Sequence, residues 1–529
     1  MGERRIFMGI YLNPGKGKFQ EAVNSKIYVD KTELIEYTNS VLCSNQKYIC
    51  VSRPRRFGKS ITANMLTAYY GKSEDSSDLF RNLKISDSSS YEQYMNHYNV
   101  IALNMQDFIS QTHSIETLKS LIERVVIRDL LKKYSDVDYF DRANLIAVLL
   151  DIYAQKKEKF IFIIDEWDCI FRELKEQKEL QREYLDYLRN LLKDKEYVAL
   201  AYMTGILPIK KYGTHSALNM FDEFSMTNAG ELAKYTGFTQ EEVKELCVQY
   251  DMDFDEIARW YDGYELGENL HIYNPKSVVD AMRHREYGSY WTSTETYEAL
   301  KIYLDMNFDG LKDSIVKMLA GERCSVNPRN FKNDMTSFSQ KDDVFTLMVH
   351  LGYLGYDKQK GEVYIPNQEI ADEFVNAMED SRWDEVIQMV KTSQELLNAT
   401  LKKDTKRVEE LMERVHLENT SILNYNDENS LSCVITLAYY AARKDYMLHR
   451  ELPTGKGFAD IAFIPRKNKQ LPIMIIELKW DRDADSAIQQ IKERKYTEKV
   501  RQYVGKILLV GINYDKKKKV YDCEIEESR

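Results

Sequence analysis

Cysteine and histidine chemistry is nearly missing from this sequence. Its seven cysteines are scattered with no C-x-x-C, and its eight histidines show no metal spacing, so a zinc site is not expected. No apolar run approaches the roughly 20 residues of a membrane span. The opening "MGERRIFMGI" lacks a signal-peptide core, and Ile6 stands where N-myristoylation needs Ser or Thr. These absences point to a reducing, cytoplasmic setting with no membrane partner. Net positive charge is missing too. The formal charge is -10 with 30% charged residues, which argues against a protein that coats nucleic acid by bulk charge and leaves room for a local basic cleft. No internal repeat or low-complexity linker occurs. What the chain does have is 43% hydrophobic residues over 529 positions, enough for real cores and about three domains.

The stretch "SRPRRFGKS" (residues 52–60) ends as a Walker A loop does, in Gly58, Lys59 and Ser60. It has Arg53 and Pro54 where the pattern G-x-x-x-x-G-K-[ST] begins with glycine. Pro54 can bend the chain where that glycine would. "KYICVS" (47–52) reads as a buried strand and "ITANMLTAYY" (61–70) as a helix, so "GKS" falls where backbone N–H groups and a helix N-terminus can face phosphates. Lys59 would reach the terminal phosphates of ATP, and the Ser60 hydroxyl would hold Mg2+. Arg53, Arg55 and Arg56 would add charge to the phosphates, or face solvent or an acidic neighbour.

"KFIFIIDEWD" (159–168) supplies a second half. Its apolar run reads as a buried parallel strand ending in Asp165 and Glu166, at the edge where open α/β sheets place ligands. Asp165 would bind Mg2+ through water, and Glu166 would polarise the attacking water. "VIALNM" (100–105) and "YVALAYMTG" (197–205) complete a sheet, the latter setting Thr204 near the γ-phosphate.

"YVDKTELIEY" (28–37), "SRPRRFGKS", "IIDEWD" and "MTGILPI" (203–209) together resemble the bacterial AAA-ATPase-like family over about the first 290 residues. "RPRRFGK[ST]" is that family's usual loop, so Arg53 is its habit. The resemblance implies an ASCE-type parallel sheet and an ATP site at Arg55, Arg56, Phe57, Gly58, Lys59, Ser60, Asp165 and Thr204. Asp30 and Lys31 match its "VDK", for which a structural salt bridge is the expected role.

From about residue 224 the chain is helical. "YDGY" and "IYNP" read as turn anchors with aromatics packing on a lid. Residues 343–374 read as helix, short hairpin, helix, a winged-helix-like element that binds DNA or serves as a packing module. A long helical segment, 377–415, leads to the last domain.

There "GFADIAFIPRKNKQLPIMIIELKW" (457–480) reads as two strands about a polar turn. A turn centred at Asn468 and Lys469 sets Asp460 opposite Glu477, and alternation puts Glu477 and Lys479 on one face. Two carboxylates with a lysine make a Mg2+ site (Mn2+ also suits it) that can activate water against a phosphodiester. The element order α-β-β-β-α-β resembles the PD-(D/E)XK nuclease fold. In that resemblance Asp460, Glu477 and Lys479 form the "D…ExK" signature. Glu428 matches an additional acidic ligand, and Gln490 and Tyr496 match a "Q-x5-Y" whose Gln approaches the scissile phosphate. The rival for these residues is an exposed cross-strand pair beside a turn aspartate.

The expected protein is an ATPase module (1–223), a helical linker domain (224–390) and a restriction-endonuclease-like domain (391–529). ATP would gate Mg2+-dependent cleavage of nucleic acid, most simply DNA; a role in defence rests on analogy. One alternative is an ATP-dependent switch or scaffold whose last domain only binds. Another is an ATPase that remodels a protein partner. No arginine finger is assignable, and an oligomer is left open.

Overall fold

The computed structural model describes residues 8–111, 114–209, 218–267, 270–291, 298–306, 308–332, 335–336, 338–379, 383–419, 428–454, 457–466, 471–480, 484–493, 506–515, 518 and 520–528. The chain forms two compact units, each discontinuous in sequence: Met1–Glu295 with Ser325–Ala371, and Thr296–Cys324 with Asp372–Arg529. The stretch 224–390 is divided between them. No helix among the described residues is long and apolar enough to cross a membrane.

The first unit is built on a parallel sheet. Its strands are β1 (Tyr48–Ser52), β2 (Asn99–Asn104), β3 (Phe160–Asp165), β4 (Val198–Gly205) and β5 (Asp222–Phe224), in the spatial order β2-β3-β4-β1-β5. β1, β3 and β4 are buried at every position, as their unbroken apolar runs require of strands covered on both faces. Helix α1 (Lys59–Tyr70) covers one face, with Met65, Leu66, Tyr69 and Tyr70 in the core that holds Ile49, Ile163 and Tyr202. The short α2 (Cys169–Glu173) and the longer α3 (Lys178–Leu192) follow β3. Ser52 pairs with Gly205, and Asn104 with Asp165. The C-terminal ends of four strands therefore lie along one sheet edge, where such sheets bind ligands.

Further along, Thr239 closes a capping box with Glu242 at the start of helix Gln240–Tyr250, and Asn274 caps Pro275–His284. The helix–hairpin–helix reading holds: Lys341–Leu351, the antiparallel pair Gly355–Asp357 and Glu362–Tyr364, then Gln368–Glu379.

In the second unit the expected long helical segment is broken. Helix α4 (Asp384–Leu401) ends, Lys403 turns through φ +59°, and α5 (Thr405–Asn419) begins. Asp404 accepts from Arg407 N at 3.1 Å, a cap that starts the new helix. After α6 (Glu428–Ala438) come β6 (Tyr446–Thr454), β7 (Gly457–Pro465), β8 (Ile473–Trp480), helix α7 (Ala484–Glu493), β9 (Ile507–Asp515) and β10 (Val520–Ser528). The sheet runs in that strand order. β8 and β9 are parallel and the other pairs antiparallel. This is the expected αβββαβ order with one more strand at the edge.

Candidate functional site

The chain leaves β1 and turns twice through left-handed backbone, at Arg56 (φ +67°) and Gly58 (φ +87°). Arg53 does not line the cavity described below. It is wholly buried, and its Nη1 donates to the carbonyls of Ser52 and Phe224, both at 2.9 Å, tying β1 to β5. Burial pulls its pKa down to about 10. Arg55 and Arg56 are exposed and line the cavity. The buried Phe57 ring meets Tyr264 of "YDGY" edge-on at 5.4 Å, so the anchor expected from that motif holds the loop. Lys59, 4% exposed, donates through Nζ to Arg53 O at 3.0 Å and Pro54 O at 2.9 Å. Burial lowers its pKa against the pull of Glu166, Asp168 and Asp165. Ser60 is exposed at the start of α1.

At the end of β3, Asp165 Oδ1 accepts from Glu166 N at 3.0 Å and from the Thr204 hydroxyl. Asp165 and Thr204 are buried and are not among the residues lining the cavity. Glu166 is, and its φ of +54° is uncommon for a residue with a Cβ. Its carboxylate pairs with Arg172. Burial raises the Glu166 pKa, opposed by Lys59 and then Arg172.

A cavity of about 990 Å³ has walls that include Arg55, Lys59, Ser60, Glu166, Lys276 and Arg283. Its polar lining is rich in cations beside few carboxylates, which suits a polyphosphate. Lys31 also lines it, but its Nζ goes to both Glu242 oxygens at 2.8 and 2.6 Å and to Lys234 O at 2.8 Å, the salt bridge expected of it. Asp30 accepts from Thr32 N and Lys84 N at 2.8 and 2.6 Å. The sequence reading missed Arg172, Lys276 and Arg283. The only trace of the last two is the "NP" cap that starts their helix.

Gly205 ends β4 under the tryptophan of "DEWD". A Cβ there would lie 2.6 Å from Trp167 Nε1 and 2.7 Å from Asp168 Oδ1. Gly205→Ala is expected to destabilise the protein by about 1–3 kcal/mol through overpacking, read as a lower midpoint in thermal or urea unfolding.

The second candidate site lies on β7 and β8. Ile461 pairs with Ile476 and Phe463 with Met474. Continued by one residue, that register would set Asp460 opposite Glu477; the expected turn at Asn468 and Lys469 lies outside the described residues. Asp460 Oδ2 accepts from Leu478 N at 2.7 Å. Glu477 is 1% exposed, and its Oε1 accepts from Lys479 Nζ at 3.2 Å and from Gln490 of α7. Gly511 of β9 pairs with Glu477, and a Cβ on it would come within 2.5 Å of Ala484 O. The missing side chain lets α7 lie close on this face and bring Gln490 to Glu477. Asn513, buried and paired with Lys479, belongs to the same face and was not foreseen. Glu428 begins α6, its side chain outside the described residues, and Tyr496 lies outside them altogether.

Among the described residues no group of three or more His, Cys, Asp or Glu is arranged around a metal. The donors present are two carboxylates, one on each of two adjacent strands and one of them buried beside a lysine. Such hard oxygens fit Mg2+ or Mn2+, which complete their shells with water and phosphate.

The first unit thus has a P-loop ATPase fold, and the C-terminal sheet a restriction-endonuclease-like one. Residues 15–214 match the AAA-ATPase-like family, described as predicted AAA-ATPase. Residues 426–524 match the PD-(D/E)XK nuclease superfamily. The first and last of the three expected parts thus each match a family model, in the expected order. A protein described as the uncharacterized protein in the vnfD 5′ region of Azotobacter chroococcum mcd 1 is 27% identical over 281 residues, 51% of each chain. The match therefore spans about half the length of that relative. Among solved structures, the Walker-type ATPase PABY2304 of Pyrococcus abyssi aligns at 12% identity and a TM-score of 0.34, over 65% of this chain and 94% of that one. Cdc6p from Pyrobaculum aerophilum aligns at 10% and 0.24, over 68% and 98%. The fold assignment rests on strand order, register and the two family matches.

Proposed function

We propose that this chain binds and hydrolyses ATP, and that its C-terminal domain cuts nucleic acid, most simply DNA, with a divalent metal under the control of the ATP site. The observation that supports the cutting reading is the β7–β8 register, Ile461 with Ile476, which continued by one residue would bring Asp460 opposite Glu477, with Lys479 two residues on. Asp460 and Glu477 would hold Mg2+, joined by Glu428 in the family resemblance. The bound ion would supply an activated water and neutralise charge on the phosphodiester. Lys479 and Gln490, both bonded to the Glu477 carboxylate, hold it in orientation. Lys479 also offers a positive charge where the leaving group develops a negative one. In the ATP cavity Lys59 and the exposed Arg55 and Arg56 would meet the phosphates. Ser60 and Asp165 would hold the accompanying Mg2+, Thr204 would fix Asp165, and Glu166 would take the proton of the attacking water.

The deciding experiment incubates the full chain with supercoiled plasmid and Mg2+, with and without ATP. Metal-dependent nicking that responds to ATP supports the proposal. Plasmid retention without nicking would make the C-terminal domain a binding module, and the Lys479–Glu477 pair a structural one. ATP turnover stimulated by a protein and not by DNA would favour a remodelling ATPase.

Glu166→Gln is expected to retain ATP binding and lose turnover by about 100-fold or more, because the amide keeps the shape but takes no proton. Calorimetry and phosphate release check the two halves separately. Wild-type turnover in that variant would remove Glu166 from the mechanism.

A further inference from the structure

Glu166 reaches the cavity from a backbone in the left-handed region and through a flexible side chain. A carboxylate so placed acts on a water only if something fixes its direction, and a base is generally oriented by a third group. A buried arginine supplies it. Arg172, one helical turn into α2, has only 7% of its side chain exposed and pairs through Nη2 with Glu166. Its Nε lies 3.3 Å from Asp168 Oδ2. The same oxygen accepts from Ile206 N at 3.0 Å and Leu207 N at 2.8 Å, in the turn that follows β4. Leu207 O in turn accepts from the Ser52 hydroxyl at 3.0 Å, at the start of the phosphate loop. Burial works against the Arg172 charge, but Asp168 and then Glu166 outweigh it.

We propose that Arg172 is a positioning residue for Glu166, holding the base at the cavity wall and fixing it through Asp168 to the "GILPI" turn after β4. This rests on the reading of Glu166 as the base of ATP hydrolysis. It gives the "DEWDCIFR" and "MTGILPI" segments a common purpose, since one guanidinium hydrogen-bonds Glu166 through Nη2 and lies at ion-pair distance from Asp168 through Nε, two separated contacts that a compact ammonium cannot reproduce. The path from Ser52 to Leu207, Asp168, Arg172 and Glu166 joins the phosphate-loop strand to the base, so both sides of the reaction are held by one chain of contacts.

The test uses steady-state ATP turnover by the full chain. Arg172→Gln is expected to lower kcat by about 100-fold, the scale of a misplaced catalytic group, with KM for ATP unchanged. Arg172→Lys, which keeps the charge but one contact in place of two, should recover part of kcat, again at unchanged KM. In a Glu166→Gln background the Arg172→Gln change should cost nothing further, because the group it orients is gone. If Arg172→Gln does not fold, the kcat and KM split of Arg172→Lys decides alone. Three results would overturn the proposal: unchanged or raised kcat, a rise in KM at constant kcat (which would put Arg172 on the nucleotide), or an equal further loss in the Glu166→Gln background. Wild-type turnover with any of these leaves the ATPase reading standing. No turnover by the wild type removes both.

Discussion

Glu477→Ala and Asp460→Ala proteins are each expected to leave plasmid uncut in Mg2+ while still turning over ATP. On the proposed reading, each change would remove a hard oxygen ligand from a site with two or three protein ligands in all. Glu477 is 1% exposed and touches a lysine that is 6% exposed, so truncating it strands a buried charge. Breaking such a pair costs about 3–5 kcal/mol of stability. Glu477→Gln and Asp460→Asn are therefore the cleaner variants, since they keep volume and hydrogen bonds while removing the anionic ligand. Lys479→Ala should differ. Metal should still bind, because lysine is no ligand, but the lost electrostatic contact at the reacting phosphate costs on the order of 3–4 kcal/mol, a fall of a few hundredfold. Mn2+ titration separates the two classes. Equal metal affinity in wild type and Glu477→Gln would show that no two-carboxylate site exists.

Lys59→Ala should abolish ATP binding. In this structure the Lys59 ammonium donates to two carbonyls of its own loop, and nucleotide would replace those partners with β- and γ-phosphate oxygens. Hydrogen bonds to charged groups stabilise by about 1.5–3 kcal/mol each. Losing two of them weakens binding by roughly 100-fold or more. No second lysine stands in the loop to substitute. Calorimetric titration with Mg-ATP measures the effect, and Lys59→Met controls for the lost volume in a residue that is 4% exposed. Wild-type affinity in both variants would mean that the cavity does not receive phosphates through this lysine.

What could be read in the sequence was whatever local pattern decides. Five apolar residues before Asp165, β-branched or aromatic throughout and too short for a helix, read as a strand covered on both faces. The hairpin register follows from where a polar turn is centred: a centre expected at Asn468 and Lys469 pairs Ile461 with Ile476, which is the pairing seen. What could not be read depends on distant partners. Arg172 looks like any charged residue on a short helix until Asp168 is seen bonded to the turn after β4. Lys276 and Arg283 reach the phosphate-loop cavity from more than 200 positions away. β5 is three residues long and only partly buried, so no periodicity marks it. The break at Lys403 was marked only by Asp404 and Thr405, capping-type residues amid otherwise helical sequence. Gly511 carries no signal of the helix that presses on it.

The way the two units share the chain has a genetic consequence. Glu369, in the returning segment Ser325–Ala371, accepts from Ser277 Oγ, Tyr290 N and Trp291 N at 2.6–2.7 Å, all three in the segment that precedes Glu295. A premature stop after Glu295 would leave those inward-facing donors without their acceptor, although the whole parallel sheet would already have been translated. The first unit is thus complete only after ribosomes have read through Thr296–Cys324, which belongs to the other unit.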